Sequence, residues 1–101
     1  MSTLMLLRVP GNAKELERLA QENPDVLAKI AEKAKGYGVM RHRFFATEDE
    51  IIVVDEWPSA DAFQRFYADS PEIGDLMGKV GVTTEPTITF ANGLMLGDEV
   101  G

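Results

Sequence analysis

Cysteine is absent from this chain of 101 residues, and histidine occurs once. No disulfide can brace the fold, and one imidazole without thiolates cannot close a zinc or iron–sulfur site, so no metal is expected. Positive charge is scarce as well: 10 Lys and Arg stand against 17 Asp and Glu, a formal charge of −7. That balance opposes binding to nucleic acid or to acidic membranes. Long apolar runs are missing. The N-terminal stretch MSTLMLLRVPGN has one short run, Leu4 to Leu7, with no basic region ahead of it. It is too short for a signal peptide or a spanning helix, and a cytoplasmic protein without a membrane partner is expected. There is no phosphate loop, nucleophile motif or dinucleotide fingerprint either, since GYG and GKVG lack the required spacing and context, and no cofactor is expected. A small domain without disulfides or metals most readily gains stability by oligomerising.

What the chain does have is a clear alternation of strand and helix signals. Thr3 to Val9 is a buried strand stopped by Pro10-Gly11. Asn12 caps a helix carrying Leu16 and Leu19, and Asn23-Pro24 starts a second with Leu27, Ile30, Ala31 and Ala34 on its buried stripe. Gly36 and Gly38 end it, and Val39 to Ala46 forms a more polar strand. The turn Thr47–Glu50 is short enough for a hairpin into IIVVDEW, residues 51 to 57, whose first four residues are β-branched and point to both faces. Ser59 caps a helix with Phe63, Phe66 and Tyr67 on one face, and Ser70-Pro71 starts another with Ile73, Leu76, Met77 and Val80. Thr87 to Phe90 alternates as a last strand, followed by a tail from 91 to 101. Residues 23–39 and 70–82 echo each other, each a Pro-started helix running through glycine into Val.

The order β, α, β, β, α, β predicts a single α+β domain, 1–101, with a ferredoxin-like four-stranded antiparallel sheet and helices on one face. The two strands with two dry faces, the first and third, belong in the centre, and the mixed strands belong at the edges. Helices on one side leave the other face bare. That face spans about 350 Å² in plane, large enough to signal a partner. Covering it is worth at most about 9 kcal/mol per subunit before association costs. A self-complementary patch closes most simply as a C2 homodimer, two sheets pairing into an α/β barrel.

The segment GVMRHRFFATEDEIIVVDEWPSADAFQRFYADSPEIGDLM resembles the antibiotic biosynthesis monooxygenase family of the dimeric α/β-barrel superfamily. The resemblance is carried by the hairpin running into DEWPSADAF and by the SPEI segment, and it covers residues 38 to 90. It implies the barrel fold and, among several activities, cofactor-independent oxygenation of aromatic polyketide-like substrates. The family's haem-degrading branch resembles this chain at Trp57, Ser59 and Phe63. Its haem-ligating His falls at Met77, its catalytic Trp near Phe66 and its strand-one Asn near Leu7, beside Arg8. Without that imidazole, haem chemistry is not expected.

His42 is the one residue suited to proton transfer near neutral pH, and as a strand residue it shares a face with Met40 and Phe44. If that face lines a cavity between two sheets, His42 serves a phenolic substrate as acid or base. Otherwise it is an edge-strand histidine bonded to a neighbour or water. Asp55 and Glu56 lie on opposite faces of the third strand. Either one is the inward carboxylate that orients His42 or acts as a base, or both pair across strands with cations such as Arg41 and Arg43. Trp57, Phe66 and Met77 complete the expected ligand-binding set with Met40 and Phe44, although each also suits plain core packing. Two functions remain open. One is a cofactor-independent monooxygenase-like protein that binds a small aromatic or lipid-like metabolite in the intersheet cavity. The other is a non-catalytic small-molecule-binding or structural homodimer.

Overall fold

The computed structural model describes residues 2–101. The elements run β1 (Thr3–Pro10), α1 (Ala13–Glu22), α2 (Pro24–Gly36), β2 (Arg41–Ala46), β3 (Glu50–Trp57), α3 (Ala60–Ala68), α4 (Pro71–Lys79) and β4 (Thr87–Asn92). Local chemistry sets their ends. The Asn12 side chain accepts from the Lys14 amide and Ser59 from the Ala62 amide, capping α1 and α3, while Pro24 and Pro71 open α2 and α4. No helix among the described residues is long and apolar enough to cross a membrane.

The strands form one antiparallel sheet in the order β2-β3-β1-β4. The two-sided apolar strands are central and the mixed ones lie at the edges, the ferredoxin-like arrangement expected. Register assigns every side chain to a face. Met5, Leu7 and Val9 of β1 sit opposite Asp55, Val53 and Ile51 of β3. These turn toward the helices, where they meet Ala34 of α2 and Phe63 and Phe66 of α3 in the main core. Leu19, Leu76 and Val80 make a second cluster where α1 meets α4.

The even-numbered residues of β1 and β3 occupy the helix-free face. Leu4, Leu6, Ile52 and Val54 stand at its middle, in register as Leu4↔Glu56, Leu6↔Val54 and Arg8↔Ile52. Polar groups surround them: Arg8 pairs with Glu50 at 2.7 Å, Arg41 lies 3.6 Å from Glu56, and Thr87 and Thr89 border β4. Leu4 is 42% exposed and Phe45 53% exposed on this side. An apolar centre with a charged rim is the anatomy of a protein–protein interface.

Candidate functional site

The hairpin brings the candidate pair together. The turn from Thr47 to Glu50 is closed by the Thr47 amide donating to the Glu50 carbonyl at 2.9 Å and the Glu50 amide donating to the Thr47 hydroxyl at 3.0 Å. It sets β2 against β3 so that His42 faces Asp55 and Phe44 faces Val53. The imidazole Nδ1 of His42 lies 2.7 Å from Asp55 Oδ1. A carboxylate oxygen accepts, so Nδ1 carries the hydrogen and Nε2 is left as the free nitrogen.

Asp55 is a buried carboxylate, 5% exposed, between core side chains. Such a group is tolerable only when its oxygens are bonded. The second oxygen accepts from the Trp57 indole N–H at 3.1 Å. Trp57 is fully buried, held against Phe63 and Phe66 with ring centroids 5.6 and 5.5 Å away. The three residues form a chain from the packed interior to the rim: indole, carboxylate, imidazole. His42 lies at the outer end, its side chain 35% exposed.

The pair borders a cavity of about 90 Å³ between the sheet and the helices. Its walls are apolar: Met5, Leu7 and Val53 from the sheet, Leu27 and Ile30 from α2, Phe66 from α3 and Met77 from α4. The ionisable groups on its wall are His42, Asp55 and Tyr67. Burial raises the Tyr67 phenol above its ordinary value and the Glu85 carboxylate raises it further. Tyr67 is therefore a neutral hydroxyl at physiological pH, able to donate.

The expected site residues fall into two groups. His42, Asp55, Phe44, Phe66 and Met77 converge on this cavity. Met40, Trp57 and Glu56 are not part of its wall. Met40 precedes the first β2 residue and is 57% exposed. Trp57 lies beneath, behind Asp55. Glu56 is on the helix-free face beside Arg41, so register selects Asp55 as the carboxylate that meets His42. One expectation needs correction. The face of β2 that carries His42 and Phe44 turns toward the helices, and the cavity lies there rather than between two sheets. The reason is parity: His42 and Phe44 are in phase with the helix-facing residues Asp55 and Val53. Tyr67, read from the sequence as part of the aromatic face of its helix and not among the expected site residues, stands on the cavity wall. Its i+4 spacing from Phe63 places both on one face, and the two rings stack at 5.4 Å.

No protein-family model matches this sequence, and no curated protein matches it. Its structural neighbours are antibiotic biosynthesis monooxygenases and other ferredoxin-like proteins. SnoaB, a cofactor-independent oxygenase from Streptomyces nogalater, superposes with a TM-score of 0.64 at 18% identity, over 97% of this chain and 98% of SnoaB. The ActVA-Orf6 monooxygenase of Streptomyces coelicolor, solved with nanaomycin D, gives 0.63 at 17% identity, over 96% of this chain and 93% of its own. A dimeric ferredoxin-like protein from an uncultured marine organism gives 0.60 at 16% identity, over 99% and 92%. Likeness at this level of identity establishes the fold.

Proposed function

We propose that this chain is a cytoplasmic, cofactor-independent monooxygenase-like protein that binds a small aromatic or lipid-like metabolite in the cavity between sheet and helices. The observation that carries this reading is the His42–Asp55 pair on the wall of an otherwise apolar cavity. Asp55 fixes the imidazole with Nδ1 protonated, leaving Nε2 to take a proton from a phenolic or enolisable substrate. The resulting anion gives its electrons to dioxygen, and a C–O bond forms at a ring carbon bearing hydrogen. The hydroperoxide, protonated from His42, then loses water as its O–O bond breaks, which leaves a carbonyl on that carbon. One oxygen atom enters the product and the other leaves as water. The chain's contribution is one base, a neutral Tyr67 donor and exclusion of water. The fold shared with SnoaB and the ActVA-Orf6 monooxygenase supports the assignment by analogy.

The same reading includes a homodimer through the helix-free sheet face, supported by its apolar centre and charged rim and by the dimeric neighbour. Oxygen uptake with a panel of phenols, quinols and anthrones tests the enzyme. Turnover that falls at least about a hundredfold in His42→Ala, within the usual range for a lost general base, supports it. No uptake with any member, or uptake indifferent to His42, overturns it. A second reading, a non-catalytic binding or structural dimer, draws on the cavity's size. At about 90 Å³ it falls short of the ~300 Å³ of ordinary ligand pockets. Ligand binding without turnover distinguishes this version.

A further inference from the structure

A dry cavity of about 150 Å³ takes one benzene ring, so the 90 Å³ beside His42 and Asp55 is too small for even a single aromatic ring. A second hollow adjoins it. Between the start of α1 and the end of β2 lies a cleft of about 200 Å³, walled by Ala13, Glu17, Phe45 and Ala46. Three further residues, Leu16, Phe44 and Ile51, border both spaces. They are not equally free to move. Ile51 is 5% exposed within the main core, and Leu16 packs against both hydrophobic clusters. Phe44 is 39% exposed on an edge strand, and its aromatic neighbour is His42, met edge-on at 5.0 Å. Of the three, Phe44 alone can turn without disturbing the core.

We propose that Phe44 is the partition between cavity and cleft and so sets the size of ligand the site accepts: the ligand enters through the cleft, turns the Phe44 ring aside, and occupies both spaces against His42. This rests on the reading of the His42 cavity as a small-molecule site. The walls define the ligand's chemistry. One end meets His42 and carries a hydroxyl. The remainder meets apolar side chains and, at the cleft end, the Glu17 carboxylate in a chain of net charge −7, which disfavours an anionic group there. An uncharged fused-ring phenol fits this description.

The test uses phenol and 1-naphthol as probes with the wild-type chain, Phe44→Ala and Phe44→Leu, following the His42 ring resonances by NMR so that binding elsewhere is not counted. The Phe44→Leu variant keeps most of the side-chain volume and guards against loss of folding, which circular dichroism checks. The expected result is that Phe44→Ala binds both probes tighter than wild type and that its gain for 1-naphthol, roughly tenfold or more, is at least about threefold larger than its gain for phenol, with Phe44→Leu between them. If both probes bind and their affinity ratio is the same in all three proteins, the partition is wrong and the small-molecule site stands. If neither probe perturbs His42 in any of the three at ~1 mM, the partition and the site reading both fall.

Discussion

Asp55 is the residue on which the site turns, because it accepts from both His42 and Trp57. Asp55→Asn preserves its shape but not its bonding. The amide oxygen can still take the Trp57 N–H, and the amide nitrogen then presents hydrogens to His42. Nδ1 must become the acceptor and the ring hydrogen moves to Nε2, which then lacks the free lone pair that the proposed base needs. Nitrogen-15 NMR of His42 should show the tautomer reversed, and any His42-dependent turnover should fall by about 10² or more. Trp57→Phe removes a donor from the buried carboxylate, and the variant should lose about 1–3 kcal/mol of stability in urea titrations followed by circular dichroism. Tyr67 yields a pH prediction. Its value is raised, by burial first and by Glu85 second, so the neutral phenol is the form the fold favours. The stability this brings is complete below the ordinary tyrosine range near pH ~10 and is lost as pH climbs through the raised value. Tyr67→Phe should therefore decline less than wild type in alkaline urea titrations.

Among the elements, the junction of α2 and β2 sets where the hairpin begins, and Gly38 makes it. Its φ of +104° is outside the region other residues adopt readily, and a Cβ there would sit 3.2 Å from the Pro58 ring. Gly38→Ala should lower stability by about 1–3 kcal/mol in urea unfolding. The arrangement of elements was legible in the chain. Leu4–Leu7 and Ile51–Val54 announce two strands with no wet face, which places both in the sheet centre, and the Asn, Ser and Pro signals locate every helix start. Facing was harder to read. In RHRFFA the two phases differ by a single residue, His42, Phe44 and Ala46 against Arg41, Arg43 and Phe45, and both carry an exposed Phe, so hydrophobicity gave only a weak sign of which side of β2 the helices cover. The hairpin did contain the information. A turn over residues 47–50 pairs Ala46 with Ile51, and counting back sets His42 opposite Asp55. The cavity depends on how α1, α2 and α4 lean over the sheet, a tertiary property that no single segment encodes.

At the scale of the molecule, the helix-free face and the helix-side cavity are separate features on opposite sides of one sheet. The proposed pairing and the proposed binding should therefore respond to different substitutions. Val54→Glu places a charge at the centre of the apolar patch, beside Leu6. It should leave an 11.1 kDa species in sedimentation equilibrium where wild type sediments at twice that mass, with probe binding at His42 retained if each site is complete within one protomer. Trp57 has one further consequence. It is the only tryptophan in the chain, and its indole is bonded to the carboxylate that holds the only histidine. Excitation at the red edge of the ultraviolet therefore addresses a single chromophore. A proton arriving on the imidazole, or a ring settling beside Phe66, changes the field at that indole and so the colour or yield of its emission. The protein carries an unlabelled fluorescent reporter of its own site.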